Sequence, residues 1–179
     1  MEKNLLNYET LLKITERISM SREFDEVTLL TVTGIRDALK VKGCALFLIN
    51  PKSQELEIAA AVGLSDEYLN KGPISASRSI ADSLKDGPVA IYDVLDDPRI
   101  QYPEEARREG IASILAVPIM ARGNPIGAVR IYTDKKWEFN IEDVNLVQAV
   151  AQITGMAIEM SRLYKGLKSS IEILKSRQD

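Results

Sequence analysis

The sequence predicts an α+β domain in which helices cover one face of an antiparallel sheet. Three observations support this fold class. Short runs rich in Ile and Val have the length of strands, most of them are joined by hairpin-type turns, and amphipathic helical patterns lie at both ends of the chain. A tight turn reverses the chain, so strands joined in this way run antiparallel. The terminal helices would form the layer on one face.

The N-terminal region shows helical periodicity. Apolar residues in Asn4–Ser19 recur at spacings of three and four, which predicts an amphipathic helix. Ser21–Asp25 interrupts this pattern, and we expect Asp25 to cap a second helix over Val27–Leu39. We therefore separate an N-terminal helix over residues 1–24 from a domain that starts at residue 25.

Strands and short connecting elements follow. The continuous apolar run Gly43–Asn50 predicts a buried strand, and Glu55–Val62 predicts a second strand that pairs with it. Short helices are expected over Ser77–Lys85 and Pro103–Gly110, with a short strand at Val89–Tyr92 between them.

The stretch Ser113–Thr133, SILAVPIMARGNPIGAVRIYT, predicts the central hairpin. The runs Ile114–Met120 and Ile126–Tyr132 flank a turn that contains Gly, Asn and Pro. Both runs are apolar at nearly every position, which is typical of strands covered on both faces. The exception is Arg130. Strand alternation places Arg130 and Tyr132 on one face, and we expect the helical layer to cover the other.

The last helix is predicted to begin at Ile141 with Asn140 as its cap. Its apolar residues alternate in spacings of four and three, which is the pattern of a coiled-coil seam. We expect residues 161–179 to extend beyond the globular body and to form a homodimer together with the other terminal helix. The seam residues are Leu146, Val150, Ile153, Ala157, Met160, Tyr164, Leu167, Ile171 and Leu174.

The composition disfavours several catalytic mechanisms, metal sites and binding partners. The chain has no His and one Cys, Cys44, so His-based nucleophilic catalysis, His-ligated zinc, haem or non-haem iron, and an internal disulfide are all disfavoured. A net charge of −3 provides no basic surface for nucleic acid, and no apolar run reaches membrane-spanning length. We therefore expect a cytoplasmic protein that is not an enzyme and binds neither nucleic acid nor membrane.

Four stretches, taken together, resemble a GAF domain, the sensor module of many bacterial and archaeal signalling proteins. They are GCALFLIN, GPVAIYDVLDDPR, SILAVPIMARGNPIGAVRIYT and FNIEDVNLVQAVAQITGMAIEMSRLY. The resemblance implies a GAF/PAS-like domain over residues 25–160. In it the N- and C-terminal helices pack on one face of a sheet of five or six strands. A small-molecule pocket lies on the other face, under a lid formed by residues 63–78 and 93–113.

Family members bind cyclic nucleotides, bilins, haem, iron, amino acids or other metabolites, and this chain departs from several of those patterns. Asp134 and Val144 replace the Asn and Glu of the cyclic-nucleotide signature. Cys44 lies in a predicted strand, which disfavours a covalent bilin, and a single thiol cannot run the cysteine cycle of the methionine sulfoxide reductases. We expect no metal site, and the ligand or cofactor is left open.

Two candidate ligand-binding residues lie in the second strand of the hairpin. If Arg130 is buried it needs a partner. Together with Tyr132 it could clamp the carboxylate or phosphate of a ligand. The alternatives are an internal salt bridge to Asp93, Asp96 or Asp97, or exposure of Arg130 at a strand end.

Four further candidates lie in the predicted lid and at its border. Arg78 and Ser79 could bind an anion at the start of a short helix, or serve as an ordinary cap with a solvent-facing Arg. Asp93 could contact a ligand or hold its own loop, and the hydroxyl of Ser113 could do either.

The function expected from these features is a small-molecule-sensing regulatory domain that passes ligand state to a helical dimer interface. The alternative is a dimerisation or scaffold module with a vestigial or self-filled pocket.

Overall fold

The computed structural model describes residues 2–75 and 87–176. The helix expected over Ser77–Lys85 lies outside these ranges. In chain order the elements are α1 Glu2–Met20, α2 Phe24–Leu39, β1 Gly43–Ile49, β2 Glu55–Val62, α3 Asp66–Leu69, β3 Ile74–Ser75, β4 Val89–Ile91, α4 Pro103–Glu109, β5 Ser113–Ala121, β6 Asn124–Thr133 and α5 Ile141–Ser176.

The strands form one six-stranded antiparallel sheet in the order β3-β2-β1-β6-β5-β4. The predicted α+β class and the central hairpin are therefore confirmed. The hairpin turn is shorter than expected, because Met120 pairs with Pro125 and Ala121 with Asn124. Only Arg122 and Gly123 remain at the turn, with φ of 49° and 79°, which matches the positive values that a two-residue hairpin requires.

Helices α1, α2 and α5 cover one face of the sheet. Val129 and Ile131 of β6 point into this layer and belong to the same buried core as Val147 and Val150 of α5. The helix lies very close to the sheet at Gly155, where an added Cβ would be 2.2 Å from the Met120 carbonyl oxygen. Only glycine permits this approach of helix to strand.

Helix starts follow local side-chain chemistry. The Asn140 side-chain oxygen accepts hydrogen bonds from the backbone N–H groups of Glu142 and Asp143, each at 2.9 Å, so the predicted cap of α5 is confirmed. The prediction that Asp25 caps α2 was wrong. Glu23 occupies the N-cap position and Asp25 lies in the first turn, where its charge suits the helix N-terminus.

The opposite face of the sheet is covered by both segments that were expected to form a lid. Tyr68 and Ile74 come from the first segment, and Val94, Ala106 and Ile111 come from the second. Strand β3 was not predicted, because two residues are too few for alternation to be visible.

Helix α5 continues well past the sheet. Leu146 and Val150 at its start are buried, whereas Met160 is 67% and Leu174 is 62% exposed. The predicted heptad seam therefore serves as core over its first part and lies on the surface over its second part. In the described part of the chain, no helix combines the length and apolarity that a membrane crossing needs.

Candidate functional site

Arg130 lies in the middle of β6, on the face away from the three long helices. Its cross-strand neighbours are Ala45 of β1 and Ala116 of β5. Because both neighbours are small, they leave the space beside the arginine open. The residue is only 6% exposed, and its guanidinium carbon lies 5.2 Å from the centre of the Phe47 ring. A charged group is thus buried on the apolar lid side of the sheet.

The guanidinium is not neutralised within the described residues. Arg130 Nε and Nη2 are both buried and have no hydrogen-bond partner there. The aspartates proposed as internal partners are not paired with it. Asp93 lies 2.5 Å from Lys136 Nζ, and Asp97 lies 2.6 Å from an Arg99 nitrogen. The structure therefore shows neither of the alternatives considered for this residue, an ion pair with those aspartates or exposure at a strand end.

A small cavity of about 20 Å³ opens beside Arg130, between β6 and the lid. That volume is about the space of one water molecule. The polar residues around it are Tyr68, Lys71, Arg99, Gln101 and Tyr102, and the apolar ones are Ile74, Ile100 and Ile114.

Lys71 is the second cation of this cavity. Its Nζ lies 3.8 Å from the centre of the Tyr68 ring and donates a 3.0 Å hydrogen bond to the Tyr68 carbonyl oxygen. Burial, and then the charge of Arg130, lower the pKa of Lys71 to about 8, although Glu105 and Glu109 oppose this shift. Two positive groups therefore repel one another at one site.

Two phenols lie close to Arg130, and one of them, Tyr68, lines the cavity. Tyr68 and Tyr132 form an edge-to-face pair with ring centres 5.8 Å apart. Burial raises the pKa of Tyr132 to about 12 and raises the pKa of Tyr68 further still, although Arg130 opposes both shifts. Both hydroxyls are therefore protonated at neutral pH and are able to donate hydrogen bonds.

The structure thus brings together two of the predicted site residues, Arg130 and Tyr132. Sequence reasoning missed Tyr68 and Lys71. A signal for Tyr68 existed, because Ser65 precedes it at the spacing of a helix cap, and the Ser65 hydroxyl does accept from the Tyr68 backbone N–H at 3.2 Å. No pattern marked Lys71, because its position depends on the fold of the lid.

The other predicted site residues are placed elsewhere. Ser113 Oγ donates to the Tyr92 carbonyl oxygen at 2.5 Å and accepts from the Trp137 backbone N–H at 2.9 Å. Asp93 accepts from the Leu95 backbone N–H at 3.1 Å in addition to its bond with Lys136. Neither Ser113 nor Asp93 lines the cavity beside Arg130.

Arg78 and Ser79 lie outside the described residues. A ligand-binding role for any of the six predicted residues, which are Arg78, Ser79, Asp93, Ser113, Arg130 and Tyr132, stays a prediction.

A family model for the GAF domain matches residues 21–159. This chain belongs to the GAF family. GAF domains occur in sensor and signalling proteins, and a methyl-accepting chemotaxis protein is one structural neighbour of this GAF domain. No curated protein sequence matches the chain significantly.

Solved structures of other proteins share the fold of this GAF domain. The GAF domain of a phosphoenolpyruvate-protein phosphotransferase from Coxiella burnetii is 19% identical, with a TM-score of 0.82 over 91% of this chain and 98% of that one. A free methionine-R-sulfoxide reductase from Neisseria meningitidis, solved in complex with its substrate, is 21% identical, with a TM-score of 0.77 over 92% and 95%. The chemotaxis protein segment is 25% identical, with a TM-score of 0.69 over 85% and 98%.

The single thiol of this GAF domain lies on the helix side of the sheet, away from Arg130. Cys44 is fully buried in β1 within the core shared with the helices, and burial raises the pKa of its thiol. A thiol in such a place is a small apolar core residue, because the reactive form is the thiolate.

A second concave surface of this GAF domain lies between α1 and α5. It is a groove of about 460 Å³, and much of its lining is apolar. Ile18 forms its floor, and Met156, Met160 and Tyr164 of α5 form one wall. These three residues are 67%, 67% and 50% exposed, so the helical layer has an uncovered apolar surface.

Proposed function

We propose that this GAF domain is a small-molecule-sensing regulatory module of a signal-transduction protein, and that it passes ligand state to a helical dimer interface. The observation that carries the proposal is the buried guanidinium of Arg130, whose Nε and Nη2 have no hydrogen-bond partner within the described residues. A buried charge without a partner lowers stability, so a chain that retains one has a use for it. A ligand that supplies the missing partner is such a use.

The route from the site to the helices is short. Arg130 lines the cavity, while Val129 and Ile131 of the same strand pack into the helical core. A ligand that binds Arg130 would therefore shift β6, whose other face packs against α5. Close packing transmits small shifts of this kind to a neighbouring helix.

The proposed dimer forms through the uncovered stripe on α5 and the adjoining surface of α1. Its outer members are each at least half exposed, and together they repeat the heptad spacing. Two copies that pair along this stripe would bury it, and such a helix pair has alternative packings that a ligand is able to bias. These residues are Met160, Tyr164, Leu167, Ile171 and Leu174.

The proposal includes no catalytic step and places the protein in the cytoplasm. Support for the first point comes from the absence of His and from the burial of Cys44. Support for the second comes from the single unpaired Cys, which is typical of reducing compartments.

A dimerisation module with a self-filled pocket is the second candidate function. The observation in its favour is the size of the described cavity, about 20 Å³, which is the space of about one water molecule. It requires the same helical interface but no ligand.

The dimer is tested by light scattering on the full chain at high micromolar concentration. Leu167→Asp places a charge within the stripe and should give a monomer, because an unpaired charge is costly in an apolar interface. Ser169→Asp adds the same charge to the same exposed helix outside the stripe and should remain a dimer. A monomeric wild type would refute both candidate functions. If a panel of metabolites never raises the thermal midpoint of a dimeric wild type, the scaffold function replaces sensing.

A further inference from the structure

The free donors of Arg130 define a shape. Nε and Nη2 lie on one edge of the guanidinium, both are buried and unpartnered within the described residues, and Arg130 lines the cavity. This edge is the part of arginine that binds the two oxygens of a carboxylate, through parallel hydrogen bonds. Lys would offer a point charge instead, so the geometry favours a partner that presents two oxygens.

The charge balance of the site points in the same direction. Arg130 and Lys71 are both cationic, while the nearby carboxylates have other partners. Glu109 binds Lys42 at 3.7 Å and the Ser65 backbone N–H at 3.0 Å, and Glu105 lies 3.6 Å from Arg108. Within the described residues, no carboxylate lies within ion-pair distance of Arg130 or Lys71.

The remaining groups suit a short chain with one anionic end. Tyr68 lines the cavity, and its hydroxyl, which is protonated at neutral pH, suits an anionic oxygen. Ile74, Ile100 and Ile114 provide an apolar side. An ammonium group, as in an amino acid, would meet three cations, of which only Arg99 is ion-paired within the described residues.

The size of the cavity favours a carboxylate group over a phosphate group. The cavity of about 20 Å³ accepts one small group before the lid must move. A flat carboxylate demands less movement than a tetrahedral phosphate. The rim is the Gln101–Tyr102 segment, whose side chains are held through the Pro73 carbonyl oxygen at 3.0 and 2.7 Å.

We propose that the ligand of this GAF domain is a small aliphatic carboxylate without an ammonium group, whose two oxygens bind Arg130 Nε and Nη2 while Lys71 supports its charge. This inference rests on the proposed sensing function and specifies its ligand class.

The test is calorimetric titration of the full chain with propionate, pyruvate and succinate at constant ionic strength. Propionamide serves as the neutral counterpart of propionate, and inorganic phosphate serves as the rival anion. At least one carboxylate should bind saturably, and propionamide should bind at least about tenfold more weakly, because hydrogen bonds to a charged group are the strong ones. Tighter binding of phosphate, or equal binding of propionamide, would overturn the assignment.

Two variants locate the binding. Arg130→Gln removes the charge and Arg130→Lys keeps the charge but removes the two-donor edge, and each should weaken carboxylate binding at least about tenfold. Arg17→Gln is the matched control, because Arg17 is exposed on α1 behind the sheet. Circular dichroism confirms the fold of each variant, and Arg130→Lys keeps the test valid if Arg130→Gln does not fold. Unchanged binding by Arg130→Lys would refute the bidentate contact.

The outcomes also separate this inference from the function on which it rests. If a neutral metabolite stabilises the chain and no carboxylate does, the ligand class is wrong and sensing stands. If no compound of either kind binds, both proposals fail.

Discussion

The substitution Arg130→Met is predicted to make the ligand-free protein more stable. Met keeps an unbranched stem of similar length but removes the charge of a residue that is 6% exposed and that has two nitrogens without a partner among the described residues. Burial of an ion costs several kcal/mol even after relaxation. The cation–π contact of Arg130 with the Phe47 ring, whose centre is 5.2 Å from the guanidinium carbon, offsets about 2 kcal/mol of this cost at most. We therefore expect a net gain of about 2 kcal/mol.

For a chain of this length such a gain raises the thermal midpoint by about 4–8 °C. The measurement is urea and thermal unfolding, followed by circular dichroism, of wild type and variant in a buffer free of carboxylates. Arg17→Met is the control, and its free energy of unfolding should change by no more than about 0.5 kcal/mol, because the side chain is exposed. A fall in stability of Arg130→Met by about 2 kcal/mol or more would refute the reasoning, since it would show that the native protein already compensates this charge.

Two further predictions concern Lys71 and Gly155. Carboxylate affinity should fall as the pH rises above about 8. Burial and then the charge of Arg130 lower the pKa of Lys71 to about 8, although Glu105 and Glu109 oppose this shift. Above that pH Lys71 therefore loses the positive charge that supports the ligand. Titrations between pH 6.5 and 9.5 measure this effect, and Lys71→Met should give a flatter profile; a wild-type profile just as flat would contradict the role of Lys71. Gly155→Ala should destabilise the fold by about 1–3 kcal/mol in urea unfolding, because its Cβ would lie 2.2 Å from the Met120 carbonyl oxygen. Gly166→Ala, on the same helix with nothing within 4 Å of the added atom, should not destabilise, and equal losses in the two variants would contradict the packing argument.

Local patterns account for most of the elements that were predicted correctly. Apolar alternation placed Val129 and Ile131 on one face of β6 and Arg130 and Tyr132 on the other, and the structure has this arrangement. The cap at Asn140 was visible because it acts on residues two and three positions further along. The error at Asp25 has a local cause as well, since several acidic and hydroxyl residues near that helix start compete for the cap position.

The site depends on contacts between residues that are far apart in sequence. The alternative that paired Arg130 with a lid aspartate failed because Asp93 binds Lys136 and Asp97 binds Arg99. Periodicity cannot show such choices, because each one depends on how the lid folds over the sheet. The approach of Lys71 to the same cavity has the same origin.

The sequence by itself determined the α+β class, the central hairpin, the last helix and the face on which Arg130 lies, because these follow from turn chemistry and from periods of two and of three to four residues. Its lack of His and its single Cys disfavour catalysis and favour binding as the expected role. Tertiary structure alone decided that Arg130 is buried with Nε and Nη2 unpartnered among the described residues, and that Lys71 lines the same cavity. The physical reason is that burial and charge pairing are properties of the packed chain, in which Asp93 and Asp97 bind Lys136 and Arg99.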